Sequence, residues 1–327
     1  MRAVVTGITG FVGSHLAEHL RAAGDECLGI VRASPGVADA RAPRGELPAA
    51  VRAARLVPWD LSSADVDEEL LRRLDDFAPE VVFHLAALSI PADCGTDAPT
   101  PAAAATNVDG TARVLRLARS LRRRPRVVFA SSSHVYGAVS PQAPVVDEDT
   151  PCAPRSAYGR TKLAAEQVVS EAAAGDGSDV VIVRSFIQAG SRQDSRLMLP
   201  QWAAQFVRGG LGPIDVVSLD VAIDLLDVRD AVRALRLVAL HGRSGGTYNL
   251  GSGVARTTGE VFDRLRRAAD STREARPLRP GARCEPIADV RRLQAATGWR
   301  PEIPLERTVA DVLDDWRARL SRDVPPS

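Results

Sequence analysis

The chain has 327 residues, which at roughly 150 residues per domain predicts about two domains, or one large α/β unit with an appended lobe. Hydrophobic residues make up 45% and charged residues 25%, a mix that excludes a disordered chain. Basic and acidic residues number 42 and 41, so no single-signed field exists to hold nucleic acid or an anionic membrane. No apolar run approaches the roughly 18 residues a membrane span needs.

In chain order, residues 2–6 read as a strand ending at glycines, and residues 11–23 as an amphipathic helix stopped by Gly24. Residues 26–31 form a second strand, and residues 33–54, rich in Ala, Arg, Pro and Gly, a loop. A strand over 56–59, a helix over 64–77 and an apolar strand over 81–88 follow. A long helix is predicted over 101–121, strands over 126–130 and 180–183, and a helix over 157–174 between them. Continuous apolar strands alternating with helices imply a parallel sheet buried on both faces. Beyond about residue 190 the pattern loosens, with helices near 196–208, 228–240, 258–270 and 305–320 and an extended piece at 248–250. The expected fold is α/β, a Rossmann-type doubly wound parallel sheet with a smaller mixed α/β C-terminal substrate lobe. Residues 1–186 are assigned to dinucleotide binding and 187–327 mainly to the lobe, with segments exchanged between the two.

Cys27, Cys94, Cys152 and Cys284 are far apart and form no CxxC pair. That spacing favours reduced thiols in a cytoplasm over a disulfide scaffold or a zinc site. The N-terminus lacks the order of a signal peptide. His15 and His19 lie one helical turn apart with no third ligand, so no metal is expected. His84, inside an apolar strand, reads as a satisfied core histidine. The cluster Arg122 to Arg126 reads as a solvated helix end rather than a nucleic-acid patch.

Composition also singles out one residue. Of the 42 basic residues a single one is lysine, Lys162. A lysine that survives such a bias towards arginine points to a place where an ammonium is chemically required.

The first strand runs into Thr6-Gly7-Ile8-Thr9-Gly10-Phe11-Val12-Gly13. Gly7 allows the tight turn, Gly10 the approach of a pyrophosphate, and Gly13 close packing of helix on strand. The helix N-terminus then offers unpaired N–H groups to phosphate. The second strand ends Val31-Arg32-Ala33-Ser34 with no acid for a ribose 2′-hydroxyl. Arg32 and Ser34 stand where a 2′-phosphate would be held, which favours NADP(H), with NAD(H) as the alternative.

Tyr158 and Lys162 are four apart and so share one helix face. A cation near the phenol is expected to lower its pKa from about 10 and allow proton exchange with a substrate oxygen. Ser131-Ser132-Ser133-His134 ends the fifth strand, where side chains face the ligand crevice. Ser132 is the candidate to hydrogen-bond a reacting carbonyl, with Ser131 and Ser133 as turn or capping residues.

Together TGxxGFxGxxL, the stretch His84 to Ala87, TNVxGT, SSSxVYG and YGxxK resemble the extended short-chain dehydrogenase/reductases, the NAD(P)-dependent sugar epimerase/dehydratase group. The likeness spans the chain and is greatest to the GDP-mannose 4,6-dehydratase and GDP-4-keto-6-deoxymannose reductase branch. It implies a catalytic Ser132, Tyr158 and Lys162. It also implies cofactor contacts from Asp60, Leu61, Leu85, Ala86, Ala87, Asn107 and Phe186 beside the glycine loop. By the same resemblance, helices around 108–121 and 164–174 form a four-helix homodimer interface.

Two departures concern the substrate. The branch's Asn-His after the sixth strand is replaced by Ile187-Gln188, and its phosphate-gripping Arg by Ile223. Candidate substrate contacts are Ser89, Ser133, His134 and Gln188, with Arg192, Arg196, Arg279 and Arg283 replacing the lost grip. Where the dehydratases carry a Glu, this chain has His134. The resulting expectation is an NADP(H)-dependent reductase of a 4-keto-6-deoxyhexose on a nucleotide. The alternatives are an epimerase or 4,6-dehydratase that recycles its cofactor, or a non-catalytic NADP-binding regulator.

Overall fold

The computed structural model describes residues 1–32, 47–62, 66–279 and 281–322. Seven parallel strands build the main sheet. They include Arg2–Thr6 (β1), Glu26–Val31 (β2), Arg55–Pro58 (β3), Val81–His84 (β4) and Arg126–Ser132 (β5). Strands Val180–Ser185 and Thr247–Leu250 complete it. The spatial order is β3, β2, β1, β4, β5, Val180–Ser185, Thr247–Leu250. The order reverses between β1 and β4, and ligands of doubly wound sheets bind at the strand carboxyl ends there.

Burial explains the strands' composition. All four residues of β4 are buried, because helices cover both sheet faces. On one face, helix Phe11–Ala22 (α1) and helix Val228–His241 bring Leu16, Leu20, Val232 and Leu235 onto Val5, Phe83 and Val181. On the other, helices Glu68–Phe77, Gly110–Ser120 and Ala157–Asp176 bring Leu70, Val114, Ala165 and Val169 onto Val4, Val82 and Phe129.

A third core lies apart, around Trp202, Phe262 and Trp316, between helices Met198–Val207, Thr258–Ala268 and Leu305–Arg322. Its sheet pairs Val221–Asp227 with Ala255–Thr257, Arg283–Cys284 and Ile187–Ala189. Helix Val228–His241 and strand Thr247–Leu250 then return to the large sheet, so the chain passes between the two cores more than once.

Beyond shifts of a few residues at element ends, three stretches depart from the sequence expectation. The fourth strand stops at His84 and residues 85–90 leave the sheet. The helix expected over 101–121 is broken into Pro101–Ala104, a π-turn at Ala105–Asp109, and Gly110–Ser120. The loop expected over 33–54 contains a short helix, Ala49–Ala53. Ser34 lies outside the described residues. No helix of the described residues is long and apolar enough to cross a membrane.

Candidate active site

A cavity of about 390 Å³ opens at the carboxyl ends of the strands, at the switch point. The glycine loop forms its base. Gly7 has φ of +72°, a conformation that costs a side chain but not glycine. A Cβ on Gly13 would lie 2.1 Å from the Gly7 carbonyl oxygen, so helix and turn meet only without one. Gly10 caps α1 without a side chain, leaving that helix end to a ligand. Phe11, Val12 and Gly13 line the cavity with it.

The wall at residues 85–87 is held by a buried hydrogen-bond chain. Thr111 Oγ1 donates to the Asn107 carbonyl at 2.7 Å, so His84 Nε2, 3.0 Å away, donates to Thr111. His84 Nδ1 then accepts from Thr6 Oγ1 at 2.9 Å, and Thr6 Oγ1 accepts from the amides of Leu85 and Ala86. Burial holds the His84 pKa down to about 3, so this chain of bonds uses the neutral imidazole. His84 is thus a satisfied core histidine, and it also fixes the cavity wall.

At one end, Arg32, Trp59, Asp60 and Leu61 line the cavity. Asp60 accepts from the amide and hydroxyl of Ser62. Asn107 does not line it, although its neighbour Thr106 does. In the π-turn, Asn107 Oδ1 accepts from the Leu88 amide at 2.8 Å, while Nδ2 donates to the Leu88 carbonyl and Thr161 Oγ1. It ties the wall loop to helix Ala157–Asp176.

At the other end, Ser132, Tyr158 and Lys162 converge with Ser185 and Phe186. The Ser156 hydroxyl caps the helix by accepting from the Gly159 amide at 3.1 Å. The Tyr158 ring sits edge-on to His134, with ring centroids 5.5 Å apart, and Ser132 lies beside it in the cavity. Lys162 Nζ donates to the Ala130 carbonyl at 2.7 Å and lies over the Phe129 ring.

The expectation that the lysine lowers the phenol's pKa is corrected here. Burial pushes Tyr158 up to about 12, and the nearby Ser132 offsets only part of that. Burial likewise pulls Lys162 down to about 8 against the attraction of Glu166. Lys162 is not among the groups acting on the phenol, so the pairing that the i, i+4 spacing suggested is not made.

Beneath this group lies a buried ion pair. Arg184 donates to both Glu166 oxygens at 2.8–3.2 Å, and the Ser131 hydroxyl donates to Glu166 at 2.5 Å. Arg184 also reaches Tyr136, which donates to Asn249. Ser131 therefore anchors a carboxylate rather than capping a turn. Glu166, one turn beyond Lys162, was legible only as part of a helix.

The candidate substrate residues separate. Ser89 and Gln188 line the cavity. Ser133, His134, Arg196 and Arg283 line an adjoining pocket of about 280 Å³ that shares Phe186 with it. Arg196 is neutralised there by Asp93 and Asp194. Arg192 lines neither space, because its guanidinium is captured by Glu18 and Ser14 on α1. Arg279 also lines neither. Ile223 and Trp202 make the adjoining pocket largely apolar. Sequence reasoning missed Trp59, Thr106 and Gln193 in the main cavity.

Among the described residues, no cluster of three or more His, Cys, Asp or Glu side chains is arranged to hold a metal ion.

The model of the NAD dependent epimerase/dehydratase family matches residues 3–251. GDP-6-deoxy-D-mannose reductase of Pseudomonas aeruginosa is 28% identical, covering 98% of this chain and 99% of that protein. UDP-glucose 4-epimerase of Mycolicibacterium smegmatis is 31% identical, over 97% and 99%. A solved structure of RMD from Pseudomonas aeruginosa, complexed with NADPH, superposes with a TM-score of 0.78 at 27% identity, covering 97% of this chain and 99% of that one. With its glycine loop, parallel sheet and Ser-Tyr-Lys cluster, this chain belongs to the NAD-dependent epimerase/dehydratase family of extended short-chain dehydrogenase/reductases.

Proposed function

We propose that the protein is an NADP(H)-dependent reductase of a nucleotide-linked 4-keto-6-deoxyhexose. The observation that carries this reading is the Tyr158 phenol, set beside Ser132 in the cavity and held towards its protonated form by burial. A protonated phenol can donate to a developing alkoxide.

A nicotinamide bound in the cavity supplies the hydride for the keto carbon. The residues present fit such a group. Gly7, Gly10 and Gly13 let turn, wall and helix meet closely, and the end of α1, which no side chain caps, borders the cavity where a pyrophosphate would lie. Arg32 at the end of β2 suits a 2′-phosphate. The Ser132 hydroxyl orients and polarises the substrate carbonyl. Tyr158 gives its proton to the carbonyl oxygen as the C–O bond becomes an alkoxide. Lys162, which lines the cavity with its ammonium on the Ala130 carbonyl, would be the donor to a ribose hydroxyl of the bound coenzyme.

The full-length likeness to a GDP-6-deoxy-D-mannose reductase supports this substrate class. The likeness to a UDP-glucose 4-epimerase supports epimerisation as the second reading. The four free thiols suit a reducing compartment, and we assign the protein to the cytoplasm on that ground.

The test is a coenzyme balance with a panel of nucleotide-linked 4-keto-6-deoxyhexoses. Reduction consumes one NADPH per alcohol formed and proceeds poorly with NADH. Product formed without net coenzyme consumption would turn the reading to epimerisation.

A further inference from the structure

At the substrate end, two walls of the cavity are joined by an ion pair. Ser89 lines the cavity from the wall loop, and Asp93 follows it on helix Pro91–Cys94. On the opposite side Gln188, Gln193 and Leu197 line the cavity, and Arg196 stands between the last two in sequence. Arg196 Nη1 donates to both Asp93 oxygens, at 3.0 and 3.2 Å, joining segments 103 residues apart. The side chains are 53% and 32% exposed, so the pair lies on the rim.

Arg196 has a second partner of another kind. Asp194 accepts from Nε and Nη2 at 3.1 and 3.0 Å, and from the Arg196 amide at 2.9 Å. It belongs to the same loop and moves with it. Asp194 therefore keeps the guanidinium in place whichever group Nη1 meets. Asp93 comes from the other wall and takes Nη1 alone. Two carboxylates face one guanidinium, and only Asp93 can leave without undoing the two-toothed grip of Asp194.

Arg196 lines the adjoining pocket and not the coenzyme cavity, so the coenzyme's own phosphates are not its ligand. Ser133 and His134 lead into that pocket from Ser132, and Phe186 borders both spaces. With a coenzyme laid from Arg32 to the Ser132 end, a substrate held at Ser132 and Tyr158 extends into the pocket. Its lining offers two arginines, Arg196 and Arg283, one carboxylate, Glu285, and a largely apolar remainder that includes Trp202, Met198 and Ile223. Phosphates entering such a space need a cation. An exposed ion pair is weak enough to exchange, and a guanidinium suits phosphate as well as carboxylate. We infer that the diphosphate of the substrate takes Arg196 Nη1 from Asp93, so that the pair closing the rim of the free protein becomes the grip on the bound substrate. This rests on the nucleotide-linked substrate reading above.

The test is calorimetric titration of the NADPH-bound whole protein with GDP, UDP and dTDP, and with the matching nucleosides. At least one diphosphate binds the wild type. Arg196→Gln binds it about tenfold more weakly, the scale of one charged hydrogen bond. Asp93→Ala binds it about two- to fivefold more tightly, because the competing carboxylate is gone. Adding Asp93→Ala to Arg196→Gln brings no gain, since no guanidinium is left to release. The nucleoside does not distinguish these proteins. Asp93→Ala with no gain, a gain that persists without Arg196, undiminished binding in Arg196→Gln, or equal changes for the nucleoside each overturn the inference and leave the substrate reading standing. A wild type that binds NADPH but none of the diphosphates overturns both.

Discussion

Tyr158 is a residue at which two opposing effects can be weighed. Its spacing from Lys162 suggested a phenol tuned downwards, but burial in the cavity wins and leaves a proton donor at about 12. Tyr158→Phe removes the phenol hydroxyl and keeps the ring. Turnover is expected to fall by about 10²–10⁴-fold while NADPH affinity, measured by titration, stays within a few-fold. Full activity in this variant would favour a coenzyme-binding regulator. Lys162 carries a pH dependence. It sheds its proton near 8 when folded, against 10.5 ordinarily, so across that window the unfolded chain binds more protons and stability rises with pH. Coenzyme affinity, which uses the ammonium, is expected to fall across the same window in titrations at stepped pH. Affinity that is flat through pH 10 would contradict this. The lone lysine was conspicuous in the sequence because composition singled it out. Gln193 was not, since a glutamine in an irregular loop carries no pattern.

Among the elements, the glycine turn and α1 act as one unit. Gly13→Ala places a methyl 2.1 Å from the Gly7 carbonyl oxygen, and backbone cannot yield as a side chain can. Loss of measurable NADPH binding is expected, together with a lower melting temperature. Wild-type affinity would show that helix and turn can part. Helix periodicity marked most elements, because apolar stripes repeat where helices meet the sheet. It could not reveal the break at Ala105–Asp109, since a π-turn keeps helical composition. That break turns Asn107 onto Leu88 and Thr161, binding the cavity wall to the helix that carries Tyr158 and Lys162. The Glu166–Arg184 pair was equally hidden, because its partners lie on separate elements. Glu166→Ala leaves Arg184 buried and uncompensated, and a loss of about 3–5 kcal/mol in urea unfolding is expected. A loss below 1 kcal/mol would mean the guanidinium finds water.

For the whole molecule, alternating strands and helices were enough to indicate a doubly wound parallel sheet. The return of Thr247–Leu250 to that sheet was legible only as a short extended piece. Val114, Ala165 and Val169, on the two helices assigned by resemblance to a homodimer, pack inward on the sheet. Arg116, Arg119, Gln167 and Glu171 face outward. We propose a homodimer through this polar face, with light scattering expected to give about twice 34.8 kDa and dissociation favoured by salt. A monomer mass at all concentrations would contradict it. His84 and His15 are held neutral by burial, down to about 3 and about 4 against an ordinary 6.5. Both take up a proton on unfolding, so stability is expected to fall as pH drops below 6.5, by about 1.4 kcal/mol per pH unit for each. A urea midpoint that does not move between pH 6.5 and pH 4 would contradict this.

The most direct test of Tyr158-assisted reduction is to follow the hydride. The protein is given NADPH carrying deuterium at the transferable position of the nicotinamide, with a nucleotide-linked 4-keto-6-deoxyhexose. Reduction predicts one deuterium on the former keto carbon for each NADPH consumed, delivered about 10²–10⁴-fold more slowly by Tyr158→Phe. Product without deuterium and with the coenzyme unspent would contradict the account.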